Sequence, residues 1–174
     1  MKYSRLFISL LFLLCAGCAP VISEQSMQLV DRTLSFDTIK KNPDQYIGRY
    51  VLVGGKIASV SNSKQAGQLE IVQFRLDSDN MPVESHQSGG RFLAMHNGFL
   101  DPLIYKPGRL VTIVGEVKGQ RTMPLDRIEY DYPVIAIREV HLWSPEYVRP
   151  YPYPYDPYYP EYWWRPYGMW RPWW

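Results

Sequence analysis

The sequence predicts an all-β fold: a small OB-like barrel of about five strands with one short N-terminal helix, followed by a disordered tail rich in Pro, Tyr and Trp. Three observations carry that expectation. Short apolar runs recur between residues 50 and 143, separated by pairs of turn-forming residues. The first run is interrupted by Gly54-Gly55, and paired glycines inside a strand mark a bulge or a tight bend at a barrel corner. At Pro145 the composition shifts abruptly to proline and aromatic residues.

Taken in order, the globular part opens with a helix. Ser35 is placed to cap it, Phe36 and Ile39 share a face at i, i+3, and Pro43 disfavours helix at Asn42, so the element ends by Lys41. The expected strands are Tyr50–Val60, Leu69–Leu76, Arg91–His96, Arg109–Lys118 and Val134–Trp143. In the fourth, Leu110, Thr112 and Val114 alternate with Val111, Ile113 and Gly115, which gives a strand buried on much of both faces. Turn chemistry lies between the strands at Asp79-Asn80, Ser88-Gly89-Gly90, Asn97-Gly98 and Lys106-Pro107-Gly108. Phe36 and Ile39 are expected on one end of the barrel. Val51, Val53, Ile71, Leu110 or Val111, Ile113, Val114 and Ile135 are expected to fill it. A β-sandwich fragment is the alternative architecture.

The N-terminus carries an export signal. Lys2 and Arg5 form a short positive region, and Leu6–Leu14 is an unbroken apolar stretch of nine residues. A bilayer core needs roughly 20 apolar residues, so the stretch is too short to span but suits a signal peptide. Cys15-Ala16-Gly17-Cys18 then supplies small residues ending in a thiol, a pattern that resembles the bacterial lipobox with Cys15 where Leu is usual. Cys18 is therefore the expected lipidation site, its sulfur carrying a diacylglyceryl thioether. An ordinary secreted protein with an incidental cysteine is the bland alternative. Removal of residues 1–17 takes away Lys2 and Arg5, the two charges behind the formal net charge of +2. The mature chain is then formally neutral, which gives no argument for nucleic-acid binding. With Cys15 removed and Cys18 acylated, neither of the two cysteines is left for a disulfide or a thiolate metal ligand. The expected organisation is a signal peptide at 1–17, a lipid anchor and tether at 18–33, a β-barrel domain at 34–144 and a Pro/aromatic-rich tail at 145–174.

Several blocks between Phe36 and Trp143 add a family resemblance. They are Asn42-Pro43 with Tyr46, Gly48 and Val51, then Gly54-Gly55-Lys56-Ile57, Glu70-Ile71, Leu76-Asp77 and Gly90-Arg91-Phe92. The most specific is Gly98-Phe99-Leu100-Asp101-Pro102 with Tyr105, Gly108-Arg109 and Thr112, followed by Gly115, Tyr130, Tyr132-Pro133 and Leu142-Trp143. In order and spacing they resemble the Slp family of Gram-negative outer-membrane lipoproteins, named for starvation-inducible members. The resemblance implies outer-membrane attachment and expression under stress or in stationary phase. It brings no catalytic residue. Ala19 follows the lipidated cysteine, where lipoproteins retained at the inner membrane carry Asp, so the expected location is the outer membrane, on its periplasmic face rather than the cell surface.

The residues themselves offer little chemistry. His86, His96 and His141 lie in different elements, so no metal site is expected. Asp77, Asp79 and Glu84 could ligate calcium but lack the EF-hand spacing and read better as a solvated turn. Ser88-Gly89-Gly90-Arg91 has the composition of an anion cradle, with glycines turning a corner as the plainer reading. In Gly98–Pro102, Phe99 and Leu100 are expected to plug the barrel mouth and Asp101 to cap the turn before Pro102. No Ser, Cys or His grouping provides a nucleophile with its base. The expectation is a protein that is not an enzyme and has no cofactor. An accessory or cryptic hydrolytic domain acting on envelope polymers is the alternative.

The tail, from Tyr147 to Trp174, contains eight tyrosines, five tryptophans and seven prolines. Proline lacks the N–H that helix interiors and central strands require, so polyproline II or disorder is expected. Trp and Tyr favour the headgroup region of membranes, and their flat faces also suit stacking on the sugar rings of peptidoglycan or lipopolysaccharide. A sticky extension without a dedicated partner is the third reading. The expected partners are thus the membrane through the lipid, envelope lipid or glycan through the tail, and no nucleic acid.

Overall fold

The computed structural model describes residues 20–64 and 66–144. Five strands, β1 (Tyr50–Asn62), β2 (Gly67–Phe74), β3 (Gly90–His96), β4 (Leu110–Leu125) and β5 (Ile128–Leu142), close into a barrel in the order β1-β2-β3-β5-β4. Neighbours are antiparallel except β3 and β5, which run parallel and meet over Leu93–Val134, Ala94–Ile135 and Met95–Ala136. The ring closes where β1 pairs on both sides at once, through Gly54-Gly55, although the register irregularity in β1 falls between Ile57 and Ser59 rather than at the glycines. Gly54 pairs with both Phe74 of β2 and Thr112 of β4, and Gly55 with both Gln73 and Val111. One strand thus passes from one partner to the other without leaving an edge, which distinguishes the barrel from the sandwich alternative.

Period-two alternation decides which side chains fill it. Val51, Val53, Ile57, Leu69, Ile71, Phe92, Ala94, Val111, Ile113, Val117 and Ile135 form the interior cluster. All the expected core positions are buried, but Leu110 and Val114 lie outside the interior cluster. They share a face of β4 with Thr112, which is itself fully buried. The Thr112 hydroxyl donates to the Asn80 carbonyl at 2.6 Å and accepts from the Trp143 indole N–H at 3.0 Å. The loop after β2 is held there because Asn80 takes a left-handed φ of 63°, a conformation open to Asn in the predicted turn.

Both ends of the barrel are plugged. At the β2–β3 end lies the predicted helix, Phe36–Lys41, capped by the Ser35 hydroxyl on the Thr38 amide. Its Ile39 is fully buried, and its Phe36 ring meets Phe92 at 5.6 Å. At the β1–β2 end, Leu100 enters the core and its backbone is clamped by Asn62, whose side chain donates to the Leu100 carbonyl at 2.8 Å and accepts its amide at 2.9 Å.

Two expectations are corrected. A second helix, Glu24–Leu29, precedes the predicted one, inside the segment read as a tether. Packing against the domain begins at Ile22, which is 2% exposed, and Ser23 donates to Glu139 of β5 through both its amide (2.9 Å) and its hydroxyl (2.5 Å). We call these helices α1 (Glu24–Leu29) and α2 (Phe36–Lys41). The helix α1 has no apolar stripe of its own and is held by contacts that its sequence period does not reveal. The second correction concerns β4 and β5, which continue past Lys118 and begin before Val134 to form one long hairpin turning at Asp126-Arg127. Its outer half leaves the ring, beyond the bounds expected for either strand.

Candidate functional site

The hairpin's outer half lies across the outside of β2 and β3, where it assembles a polar and aromatic cluster. The alternation that sends Leu69 and Ile71 inward sends Glu70 outward, and Leu93 faces the same way on β3 beside it. Leu93 packs with Tyr132 and Val134 of β5, flanked by Met95, Met123 and Tyr130. The Tyr132 hydroxyl reaches across to Glu70 at 3.1 Å, and the Tyr130 and Tyr132 rings meet edge to face at 4.7 Å. Glu70 also accepts from the Arg91 guanidinium at 2.6 Å and the Ser59 hydroxyl at 3.0 Å. The Tyr130 oxygen accepts the Arg91 amide at 2.9 Å. The Lys40 ammonium stands 5.6 Å from the Tyr130 ring centre and donates to the Gly89 carbonyl.

Charges in this cluster are matched. Burial pushes the Glu70 carboxyl up, but the hydrogen bonds from Arg91, Ser59 and Tyr132 outweigh it and hold the group below the ordinary carboxylate range. Burial and the neighbouring Glu70 push the Tyr132 phenol up. The same groups are thus committed to one another, and the arrangement acts as a clamp that fastens the hairpin to β2 and β3. A depressed carboxylate stabilises the folded state fully above its unfolded pKa of about 4.3 and loses that contribution as pH falls through the lower folded value. Glu70→Gln is therefore expected to lower stability by about 1 kcal/mol at pH 7. In urea melts at pH 7 and pH 3, the gap between the two proteins should shrink at the lower pH. An equal gap at both would show that the carboxylate charge is not what holds the clamp.

The other predicted positions take structural roles. In Ser88–Arg91 the Gly90 amide donates to the Ser88 hydroxyl at 3.0 Å, the Arg91 amide to Tyr130 and the guanidinium to Glu70, so the corner-turning reading holds over the anion cradle. The Asp77 carboxylate accepts the amides of Asp79 at 2.9 Å and Met81 at 2.8 Å, as a turn requires, and Glu84 pairs with Lys56. His86 is exposed, and His141 lies edge-on to Trp143 at 4.7 Å, its pKa pushed down by burial. Among the described residues no group of three or more His, Cys, Asp or Glu gathers to hold a metal.

The loop at Gly98–Pro102 divides its predicted roles. Leu100 is the plug, and Asp101 caps the turn by accepting the Leu103 amide at 2.8 Å. Phe99 is not a plug: it is 71% exposed, because the left-handed Gly98 (φ 132°) and the Asn62 clamp orient only Leu100 inward. Asn62, Glu70 with Arg91, and Tyr130 with Tyr132 were not singled out as a site by sequence. Glu70, Arg91, Tyr130 and Tyr132 stand in the sequence only as scattered members of the family blocks, since the partners lie on different strands. Cys18, the signal segment 1–17 and the tail 145–174 lie outside the described residues. Among the described residues no helix is long and apolar enough to cross a membrane.

Comparisons with known proteins agree with the sequence blocks. The model of the outer membrane lipoprotein Slp family matches residues 15–174. Outer membrane protein Slp of Escherichia coli (strain K12) is 31% identical over 143 residues, covering 82% of this chain and 76% of that protein. The uncharacterized lipoprotein YeaY of the same organism is 34% identical over 119 residues, covering 67% of this chain and 61% of that protein. Among solved structures, a small single-stranded DNA-binding protein from Streptomyces coelicolor is 13% identical with a TM-score of 0.37, covering 54% of this chain and 94% of that one. Likeness at that level says nothing of what this chain binds.

Proposed function

Because the chain belongs to the outer membrane lipoprotein Slp family, we propose that it is a non-catalytic lipoprotein of the cell envelope, a structural or binding module serving under stress or starvation. Cys18 carries the lipid, residues 1–17 are removed on export, and the barrel is held at the periplasmic face of the outer membrane. The observation that carries this reading is the family match from residue 15 onward, which takes in Cys15-Ala16-Gly17-Cys18. The lack of an enzymatic role is supported by the Glu70–Arg91–Tyr132 cluster, whose ionisable groups hold one another rather than face a substrate.

The aromatic tail is the second contact, binding envelope lipid or glycan. Strand β5 ends at Leu142, and the five strands of the described residues close the ring among themselves. Deletion of residues 145–174 should accordingly leave the barrel's melting temperature unchanged within a few degrees, while co-sedimentation with peptidoglycan or with phospholipid vesicles falls severalfold. A large fall in melting temperature would make the tail part of the core. Unchanged co-sedimentation would remove it as the contact.

A further inference from the structure

The two most exposed large apolar side chains among the described residues, Leu103 and Phe99, stand on one loop together with a third exposed one, Ile104. Leu103 is 85% exposed, Phe99 71% and Ile104 51%, within the connection from β3 to β4. This is a tied segment. Asn62 holds Leu100 on both backbone groups, Asp101 takes the Leu103 amide on its carboxylate, and its carbonyl takes the amides of Ile104 at 3.0 Å and Tyr105 at 2.8 Å. The backbone is thus fixed in a form that turns three large apolar groups into solvent beside the exposed Lys106. A rigid, outward apolar knuckle marks an interaction surface rather than a misplaced core residue.

Topology says what it faces. Strands β1, β3 and β5 run in one direction, so Asn62, His96 and Leu142 mark the same end of the barrel, the end that carries this loop. The described chain ends there too: the Trp143 amide donates to the Leu110 carbonyl, and its carbonyl accepts from Arg109 at 2.7 and 3.2 Å. The N-terminal segment rises toward that end. Val30 bridges Tyr50, which is level with Ala136 through Glu116, whereas Ser23 sits on Glu139. From Glu139 to Leu142 is about 10 Å of strand, and five residues from Ser23 back to Cys18 span at most about 17 Å. A lipid on Cys18 therefore keeps this end of the barrel close to the bilayer.

We propose that the loop 98–105 is a membrane contact that sets Phe99, Leu103 and Ile104 into the headgroup region of the phospholipid leaflet holding the Cys18 lipid. Lys106 lies at its edge for anionic headgroups. The inference rests on the reading of Cys18 as the anchor. Processing removes Cys15 and acylation occupies Cys18, so one introduced cysteine can be labelled alone.

The test uses the processed, lipidated full chain in vesicles of phosphatidylethanolamine and phosphatidylglycerol, with a polarity-sensitive fluorophore on Leu103→Cys or on Ile128→Cys. Ile128 is 61% exposed at the hairpin turn, at the opposite end of the barrel. The expected result is a blue shift at 103 and quenching by brominated lipid at least threefold stronger than at 128. Protein that floats with vesicles but shows equal or no quenching at the two sites overturns the loop contact and leaves the anchor standing. Protein that does not float overturns the anchor and the loop contact together. A blue shift at 103 in vesicles that brominated lipid does not quench assigns the loop to a contact between proteins and overturns the proposal.

Discussion

Gly55→Ala is expected to destabilise the barrel by more than about 3 kcal/mol, beyond the usual range for overpacking. A Cβ built on Gly55 falls 1.9 Å from the Val72 carbonyl oxygen and 2.9 Å from the Ile71 side chain. The first of these is backbone, and it belongs to the ladder in which Gly55 pairs with Gln73 and Lys56 with Val72. Relief would require β1 and β2 to separate at the point where β1 also pairs with β4, so the strain cannot be passed to a flexible side chain. Domains of this size have roughly 5–15 kcal/mol of stability in all, so such a loss consumes a large share of it. Gly48→Ala is the internal control. Gly48 has a φ of 87° and no atom within 4 Å of an added Cβ, so it should cost only about 1 kcal/mol of backbone strain. Guanidinium unfolding of both variants reads the difference. Equal midpoints would mean that the two strands do not cross as closely as the pairing indicates.

That close crossing was visible in the sequence as Gly54-Gly55 inside an apolar run, because a strand interior offers few other reasons for two glycines. The helix α2 was legible for a similar reason. Ser35, the Phe36–Ile39 spacing and Pro43 are local signals, and local physics decides a six-residue helix. The core of β4 followed from apolar residues on both faces at 110–114, with Thr112 the one polar side chain among them. What failed to show has a common cause. The helix α1 is held by Ser23 on Glu139, a contact 116 residues away in the chain, and carries no periodic stripe. The outer hairpin was missed because its packed face, Tyr130, Tyr132 and Val134, is short and is buried only against the outside of β2 and β3. Phe99 and Leu100 are adjacent and alike in hydropathy, so only the Asn62 clamp decides that one is core and the other surface. The Glu70–Arg91 pair was likewise spread over two strands whose register the sequence does not state. The sequence pattern shows which residues are apolar, and the closure of the barrel shows which apolar residues remain outside.

Cys18→Ser is expected to abolish acylation and to move the protein out of the membrane fraction almost completely, leaving unprocessed precursor or a soluble form. The thiol is the only group at that position able to form the diacylglyceryl thioether, and serine's hydroxyl does not replace it in that linkage. Two acyl chains provide a stable anchor, since each buried methylene contributes about 0.8 kcal/mol and a single chain holds a protein only marginally. Without them, only the loop at 98–105 and the aromatic tail would remain for the membrane, contacts that exchange rapidly and release on dilution. Cys15→Ser separates the two cysteines, because Cys15 lies on the discarded side of the proposed cleavage point and its loss should leave lipid labelling intact. Metabolic labelling with a tagged fatty acid, followed by density fractionation, measures both steps. Label that persists in Cys18→Ser would transfer the modification to another residue and remove the assignment. Wild-type protein that sediments with inner-membrane markers would show that Ala19 after the lipidated cysteine does not direct this chain to the outer membrane, and the periplasmic outer-membrane placement would then fall even with the lipid in place.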